Sequence, residues 1–302
     1  MKRIFLLLAT NFAIIAVLGL VWGVLDAYFH LTEKFMAMGL PAGMGYYAVM
    51  SIALGFGGSF ISLWMSKGAA IRSMGVQVIE NPTSKQERWL FNVVKRQADK
   101  VGIDMPDVGI FHEPSPNAFA TGARKNNALV AISTGLLEYM SADEVEAVLG
   151  HEMAHVANGD MVTQTLLQGV LNTFVFFFSR VIAHLVNSML SRGDSRGGSY
   201  GMVYFGVSMV AQILLGFLAS MIVMWFSRYR EFHADKGGAD LAGREKMVAA
   251  LQKLQQVSQP HDLPGEMAAF GIAGGIGDGM KKLFMTHPPL EERIAALQNN
   301  KF

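Results

Sequence analysis

Four long apolar stretches stand out from the mixed pattern of polar and apolar positions along this chain. They run over about Ile4 to Leu25, Gly45 to Met65, Leu166 to Leu190 and Val203 to Phe226. A helix needs roughly 20 apolar residues to cross the hydrocarbon core of a bilayer. The pattern therefore predicts four transmembrane helices, arranged as two hairpins over residues 1–65 and 166–226. A cleavable signal peptide is the alternative for the first stretch, but its apolar run is long and no small-residue cleavage site follows it.

The third apolar stretch differs from the others because it contains ionisable side chains. Arg180 and His184 lie four residues apart near its far end. An ionisable group inside a membrane is often functional. The alternative interpretation is that both side chains lie near the far interface, or that the helix leaves the bilayer before it reaches them.

Basic residues flank the apolar stretches unevenly, and this indicates how the chain is oriented in the membrane. One side of the predicted spans carries Lys2, Arg3, Lys67, Arg72, Arg228 and Arg230, whereas the other carries Lys34, Arg192 and Arg196. Cytoplasmic flanks usually carry the excess of Lys and Arg. We therefore predict that both termini and the two segments outside the spans, 66–165 and 227–302, are cytoplasmic.

The two segments outside the spans have patterns typical of a water-soluble domain. Short β-prone runs occur at Val76–Ile79, Val108–Phe111, Ala118–Thr121 and Leu129–Ile132. Helical spacing covers about Gln86 to Val101, and Ser141 with Glu144 three residues later predicts the start of another helix. A terminal helix is predicted over Leu290 to Leu297, after a Gly-rich stretch from Gly271 to Gly279. We expect both segments to form one domain with a small mixed sheet.

Composition and charge narrow the possible chemistry. Hydrophobic residues make up 51% of the 302 residues and charged residues only 16%, whereas a soluble domain has about 25% charged residues. The net charge is +1, and without a basic cluster interleaved with aromatic residues no nucleic-acid partner is expected. The sequence contains no cysteine, so any bound metal must be held by His, Asp or Glu.

The strongest chemical signal is the motif His151-Glu152-Met153-Ala154-His155. On a helix, residues four apart share a face, so both imidazoles can bind one metal ion. Glu152 lies beside them and can accept a proton from a zinc-bound water. The apolar residues Val145, Val148 and Leu149 indicate that this helix is amphipathic and points the motif into the domain.

A catalytic zinc site needs a third protein ligand and one open position. Glu231 is the best candidate, and Asp235 lies four residues further on, where it can accept a hydrogen bond from a ligand histidine. His233 lies on another face of the predicted helix and is not expected to bind the metal. The alternative for this stretch is a solvated, charged helix just outside a membrane span.

These motifs together resemble the HtpX family of heat-shock membrane metalloproteases, which are relatives of the type I CAAX prenyl proteases. The resemblance rests on the four apolar stretches, the His151 motif, the run Ser227 to Asp235, the run Asn117 to Gly122, and the ending His287 to Ile294. It implies a mainly α membrane protein with four transmembrane helices and a gluzincin-like α+β zinc peptidase domain. That domain would be formed by residues 66–165 and 227–302.

The resemblance also implies a function. It indicates one Zn²⁺ per subunit, bound by His151, His155 and Glu231, with Glu152 as the general base. The expected reaction is hydrolysis of peptide bonds in damaged or misfolded membrane proteins, or in other unfolded proteins, under stress. The expected site of action is the cytoplasmic face of the bacterial inner membrane. Because Glu231 follows Phe226 by only five residues, the zinc should lie close to the membrane surface.

Further residues are candidates for substrate binding and catalysis. Asn117, Ala118, Phe119 and Ala120 form an extended run that we expect to be an edge strand pairing with the substrate backbone. His287, followed by two prolines, is a candidate oxyanion donor. Arg293 is the alternative donor, or could instead orient a carboxylate of the site. An ordinary edge strand and a surface Pro-Pro turn are the structural alternatives.

Two other functions would share parts of this pattern. A structural metal site or a metal transporter would not need Glu152, since structural zinc has four protein ligands and no open position. A prenyl-protein processing enzyme would share all of the chemistry and differ only in its substrate. Four spans are few for the enclosed chamber that such an enzyme would need.

Overall fold

The computed structural model describes residues 20, 22–37, 43–190, 200–258 and 287–300. Most of the first predicted span and the whole stretch from Gly271 to Gly279 lie outside these residues. Residues 22–29 are helical, and a short helix α1 (Leu31–Ala37) follows them.

Three of the four predicted spans lie on helices long and apolar enough to cross a membrane. These are α2 (Met44–Met74), α6 (Asp160–Leu190) and α7 (Tyr200–Ala242). At 1.5 Å per residue, the 31 residues of α2 or α6 extend over about 46 Å, and a hydrocarbon core is about 30 Å thick. Each of these helices is therefore long enough to continue from lipid into water.

By contacts, the chain divides into two compact units. One comprises Met1–Phe60 with Leu166–Ala219, and the other comprises Ile61–Thr165 with Ser220–Phe302. In the first unit, α2 and α6 approach closely at Gly55. A Cβ there would lie 2.3 Å from Thr173 Oγ1 and 2.8 Å from the Gly169 carbonyl oxygen, so this helix contact requires glycine. Small residues permit such close packing of membrane helices.

Arg180 joins α6 to α7 within the first unit. Its Nη1 donates to Gln212 Oε1 at 3.1 Å and to Ser179 Oγ at 2.8 Å. The guanidinium also lies over the Phe176 ring, 5.4 Å from its centroid. A polar contact between helices is favourable where lipid offers no alternative partner. These contacts show that Arg180 links the two helices, and the position of Arg180 and His184 relative to the membrane interface stays a prediction.

A four-stranded mixed sheet lies in the second unit. Its strands are β1 (Gln77–Val78), β2 (Asp107–Phe111), β3 (Ala118–Thr121) and β4 (Leu129–Ser133), in the order β1-β2-β4-β3. β2 and β4 are parallel, and β1 and β3 are antiparallel edges. The central strand β4 is buried throughout, as its uninterrupted apolar run predicts. All four predicted strands are confirmed to within one or two residues.

Five helices pack on the sheet or on one another in the same unit. They are α3 (Lys85–Val101), α4 (Thr134–Tyr139), α5 (Ala142–Asn158), α8 (Arg244–Ser258) and α9 (Leu290–Asn299). The predicted capping box is present, because Ser141 Oγ accepts the Glu144 N–H and Glu144 accepts the Ser141 N–H. Leu149 and Met153 of α5 are fully buried. Burial of such a side chain contributes roughly 1.5–3 kcal/mol, so packing fixes the rotation of α5.

Candidate active site

The two histidines of the motif lie side by side on the buried part of α5. His151 Nε2 is 3.2 Å from His155 Nε2, and the two rings are nearly perpendicular with centroids 4.7 Å apart. The spacing of four residues brings both nitrogens to one point, as helical geometry requires.

Glu231 of α7 completes this group. Its Oε2 lies 3.5 Å from His151 Nε2, and its Oε1 lies 3.4 Å from His155 Nε2. Ligand atoms at about 2.0–2.1 Å from one tetrahedral metal ion would be separated by about 3.3 Å. Within the described part of the chain, these three residues form the one group with a metal-binding arrangement. The donor set and its spacing therefore fit a single metal ion.

Two glycines allow α7 to reach α5 at this point. A Cβ on Gly238 would lie 3.0 Å from the His151 backbone nitrogen, and one on Gly237 would lie 2.5 Å from Ala154 Cβ. Any larger residue at Gly237 would push the helices apart. The close contact sets Glu231 and Asp235 opposite the histidines, and the sequence pattern alone did not identify these glycines as part of the site.

Asp235 lies behind His151, on the side away from Glu231. His151 Nδ1 is 2.9 Å from Asp235 Oδ1, so the N–H on this nitrogen is donated to the carboxylate and Nε2 is left for a metal. Arg293 of α9 holds Asp235 in turn, with its Nε donating to Oδ2 at 2.7 Å and its Nη2 to Oδ1 at 2.5 Å. Asp235 is fully buried, and the ion pair provides the partner that a buried carboxylate requires.

His155 has a similar partner that sequence reasoning missed. Its Nδ1 is 2.7 Å from Asp160 Oδ2, and Arg230 forms an ion pair with the same carboxylate. Asp160 follows His155 by five residues, which is not a same-face spacing on one helix. The chain turns at Gly159, whose φ of 72° is in the left-handed region, and this turn brings Asp160 beside the last turn of α5.

The carboxylates around the two histidines favour the protonated, positively charged form of each imidazole when no metal is bound. Burial by itself lowers the pKa of His151, but hydrogen bonds to Asp235 and Glu231 outweigh burial and raise the pKa. The pKa of His155 is raised in the same way by Glu231, against the effect of burial. A metal must therefore compete with protons at both imidazoles.

The charges of the site also balance a divalent cation. Four carboxylates belong to Glu152, Asp160, Glu231 and Asp235, and two guanidiniums belong to Arg230 and Arg293. With neutral imidazoles, this set has two excess negative charges. Buried charge is costly unless compensated, and one divalent ion between His151, His155 and Glu231 would provide the compensation.

A cavity of about 670 Å³ opens next to the histidines. Glu152, His287 and Arg293 contribute polar groups to its lining, together with His151 and Glu231. The apolar part of the wall comes from Leu136, Val148, Met247, Ala250, Leu251 and Leu254. A carboxylate beside a metal-binding group and an open, largely apolar cavity can support hydrolysis of a bound polypeptide.

The segment that contains His287 lies against Glu231. His287 Nδ1 is 2.9 Å from Glu231 Oε2, and its side chain is more than half exposed. Arg293 Nη1 is 3.2 Å from the same oxygen, but its side chain is only 7% exposed. With its donors directed at Asp235 and Glu231, Arg293 matches the interpretation in which it orients carboxylates rather than the one in which it binds substrate.

The predicted substrate-binding run lies partly at the cavity. Asn117 and Ala118 line it, whereas Phe119 packs on the other face of the sheet, with its ring 5.4 Å from that of Phe111. Side chains alternate between faces along a strand, so the Phe119 side chain lies away from the cavity. His233 also lies apart from the metal-binding group, with Nδ1 3.0 Å from the Tyr229 carbonyl oxygen.

An H-E-x-x-H helix lies opposite a glutamate of a second helix, and three helices are long and apolar enough to span a bilayer. Together these features define an integral membrane metalloprotease. Comparison with known proteins identifies the group more closely, because residues 84–301 match peptidase family M48. The chain is 57% identical to the protease HtpX of Thioalkalivibrio sulfidiphilus (strain HL-EbGR7), over 99% of each chain. It is 54% identical to the protease HtpX of Alkalilimnicola ehrlichii, over 100% of this chain and 99% of that one.

The chain therefore belongs to peptidase family M48 and, within it, to the HtpX proteases. The resemblance seen in the sequence is confirmed, and the chain is a metalloprotease. Its fold is similar to that in the crystal structure of S. mikatae Ste24p, with a TM-score of 0.60 and 16% identity over 96% of this chain and 67% of that one. At this identity the likeness concerns the fold alone.

Proposed function

We propose that the protein is a zinc endopeptidase in which His151, His155 and Glu231 bind one Zn²⁺ per subunit and Glu152 is the general base. The observation that carries the proposal is the geometry of the group. The two histidine Nε2 atoms are 3.2 Å apart, and each lies 3.4–3.5 Å from an oxygen of the Glu231 carboxylate. Glu152 lines the cavity next to this group. A site that only stabilised the fold would not need a free carboxylate facing an open cavity.

The residues of the chain then have separate tasks. Bound zinc lowers the pKa of a water molecule and polarises the substrate carbonyl. Glu152 accepts the proton of the attacking water on its carboxylate and passes it to the nitrogen of the departing amine. Asp235 and Arg293 keep His151 oriented throughout, since their contacts lie on the far side of that ring.

His287 is proposed as the donor to the carbonyl oxygen in the transition state. Its Nδ1 lies 2.9 Å from Glu231 Oε2, and an imidazole N–H that is directed at the cavity can donate to a substrate oxygen. Its exposed position at the mouth of the cavity supports this assignment.

The outer edge of β3 is proposed to hold the substrate backbone. The Ser133 N–H donates to the Asn117 carbonyl oxygen, and with the register Ala118↔Ile132 and Ala120↔Val130 the bonds to β4 alternate. The backbone groups of Ala118 and Ala120 therefore point outward, where an extended chain can pair with them. The apolar wall of the cavity next to this edge favours large apolar side chains in the substrate.

Such a substrate preference suits membrane proteins that have lost their native packing. We propose that these are cleaved at the cytoplasmic face of the bacterial inner membrane, as the excess of basic flanks indicates. Glu231 lies five residues beyond Phe226 on the continuous helix α7, a rise of about 7.5 Å. A substrate already in the bilayer would reach a site at this depth by lateral diffusion.

The direct experiment uses the purified full-length protein in detergent with an unfolded protein as substrate. Cleavage should require Zn²⁺, stop when a chelator removes it, and return when Zn²⁺ is restored. New internal fragments distinguish an endopeptidase from an enzyme that trims chain ends. Cleavage that persists after complete removal of the metal would refute the proposal.

A further inference from the structure

The two histidines of the site are held in the same way, although only one of the two arrangements was expected. In each, the histidine Nδ1 meets a buried aspartate, and that aspartate is paired with an arginine. The two sets are His151 with Asp235 and Arg293, and His155 with Asp160 and Arg230. The repetition suggests that the second set also serves the metal site.

The second set is well shielded from water. The Asp160 side chain is 8% exposed and the Arg230 side chain 21% exposed. The distance of 2.7 Å between His155 Nδ1 and Asp160 Oδ2 is short for a hydrogen bond and is typical of one to a charged group. A carboxylate accepts only, so the proton lies on Nδ1 and the lone pair of Nε2 points towards Glu231.

The set also joins three elements of one unit. Asp160 is the first residue of α6, His155 lies in the last turn of α5, and Arg230 precedes the third ligand on α7. The ion pair between Asp160 and Arg230 therefore fixes the start of α6 against the part of α7 that carries Glu231. This ion pair therefore limits how far Glu231 can move from His155.

From these contacts we propose that Asp160 and Arg230 are positioning residues of the metal centre. Asp160 fixes the tautomer and orientation of His155, and Arg230 holds Asp160 in place. The inference depends on the proposed metal site, and it assigns to this site two residues that neither bind the metal nor line the cavity. Loss of such an outer partner typically costs 10–100-fold in metal affinity.

A purely structural role is the competing explanation. An acidic residue in the first turn of a helix is favourable by itself, and Asp160 occupies that position in α6. The substitution Asp160→Glu separates the two roles, because it keeps a negative charge at the start of α6 but moves the carboxylate by one methylene. Arg230→Gln distinguishes the positioning role from the structural role in a second way. Removal of a nearby positive charge alone would strengthen binding of a cation, whereas lost orientation would weaken it.

The experiment measures metal affinity rather than cleavage. Full-length protein in detergent is stripped of metal and titrated with Zn²⁺ against a chromophoric chelator, and with Co²⁺ to record the visible absorption of the bound ion. The variants are Asp160→Asn, Asp160→Glu and Arg230→Gln. Asp235→Asn is the comparator from the first set, and Asp240→Asn is the matched control, since it removes an exposed carboxylate from α7. Thermal melting of the metal-free form monitors folding.

We expect Asp160→Asn and Asp160→Glu to weaken Zn²⁺ binding by tenfold or more and to change the Co²⁺ spectrum. Arg230→Gln should weaken binding in the same direction, and Asp240→Asn should match the parent. The inference is overturned if both Asp160 variants bind Zn²⁺ within threefold of the parent, whether or not their melting temperature falls. Stronger or unchanged binding in Arg230→Gln would remove Arg230 from the proposal.

These outcomes are distinguishable from failure of the proposed function. If the parent binds no metal, both proposals fail together. If the parent binds Zn²⁺ but cleaves nothing, the endopeptidase assignment fails, whereas the affinity ratios between the variants and the parent still decide the roles of Asp160 and Arg230.

Discussion

Glu152 differs from the other carboxylates of the site in its surroundings. Glu231, Asp235 and Asp160 each lie opposite a histidine and an arginine, whereas Glu152 lines the cavity and follows His151 directly in the chain. These surroundings support the proposed role of Glu152 as the base.

The first prediction follows from this difference. Glu152→Gln preserves the size of the side chain but removes its ability to accept a proton, so peptide cleavage should fall below detection while the protein still binds one Zn²⁺. Fragment release and metal content are measured on the same sample. Glu138→Gln, an exposed substitution in α4, is the control. Substantial cleavage by the Glu152 variant would show that another group is the base.

His287 leads to a separate prediction at the residue scale. Loss of one oxyanion donor typically lowers kcat by about 10²–10³, so His287→Ala should reduce kcat by this factor without changing the Zn²⁺ content. The contact with Glu231 makes metal content an essential second readout. A kcat within about threefold of the parent value, well short of that loss, would leave His287 with a structural role at the Pro288-Pro289 turn.

At the scale of elements, the two edges of the sheet provide a matched comparison. The register places the N–H groups of both Ala120 in β3 and Val78 in β1 outward, away from their partner strands. A proline removes an N–H group, so Ala120→Pro should weaken cleavage, mainly through KM, without loss of zinc. Val78→Pro makes the same change at the edge away from the cavity and should cleave normally. Equal activity in both variants would exclude substrate pairing at β3.

Three helices of the second unit meet at Glu146, and their contacts there lead to a prediction about the pH dependence of stability. Its carboxylate accepts hydrogen bonds from Arg96 Nη2 of α3 at 2.7 Å and from Lys246 Nζ of α8 at 2.6 Å; Lys246 also pairs with Asp143. Burial by itself would raise the pKa of Glu146, but these bonds outweigh it and lower the pKa. The stabilisation is therefore present above the ordinary pKa of glutamate and is lost as pH falls through the lowered value.

Glu146→Gln should accordingly reduce the free energy of unfolding near pH 7. The loss should be at most about 1 kcal/mol, since the pairs are partly exposed. The difference from the parent should shrink as the pH falls below 4.5, and melting curves from pH 8 to pH 3.5 record it. A destabilisation that is the same at both ends of this range would show that packing, not charge, is responsible.

The elements also show which parts of the site the sequence could predict. Apolar periodicity and the capping box at Ser141 predicted α5, and the spacing of its histidines predicted two members of the candidate metal-binding group. The partners Asp160 and Arg230 could not be identified in this way, because their contact depends on the turn at Gly159. The approach of α7 to α5 depends on Gly237 and Gly238, and a contact between elements far apart in sequence leaves no periodic pattern.

For the whole molecule, the site constrains the topology. His151 and His155 precede α6 and the candidate span of α7, whereas Glu231 follows the apolar part of α7, and the three residues form one group. We therefore predict that the segments that contribute them lie on the same side of the membrane, with an even number of crossings between them. The four spans predicted from the sequence imply the same parity, although the third apolar stretch contains the ionisable residues Arg180 and His184.

The side of the membrane on which the site lies is predicted from the distribution of charge. Lys67, Arg72 and Arg228 belong to the second unit and lie close to the predicted spans in the chain. Such an excess of basic residues is usually retained in the cytoplasm. A reporter that is active only in the cytoplasm should therefore be active when fused after Phe302 and inactive when inserted in segment 191–199, which joins α6 to α7. A reporter that is active only outside the cytoplasm should give the opposite result at both positions.

The two insertions control for each other, because a chain with two crossings between Asp160 and Glu231 cannot place both positions on one side. Activity of the cytoplasmic reporter in segment 191–199 alone would invert the orientation while preserving the single site, and activity at both positions would show that α6 and α7 do not cross the bilayer.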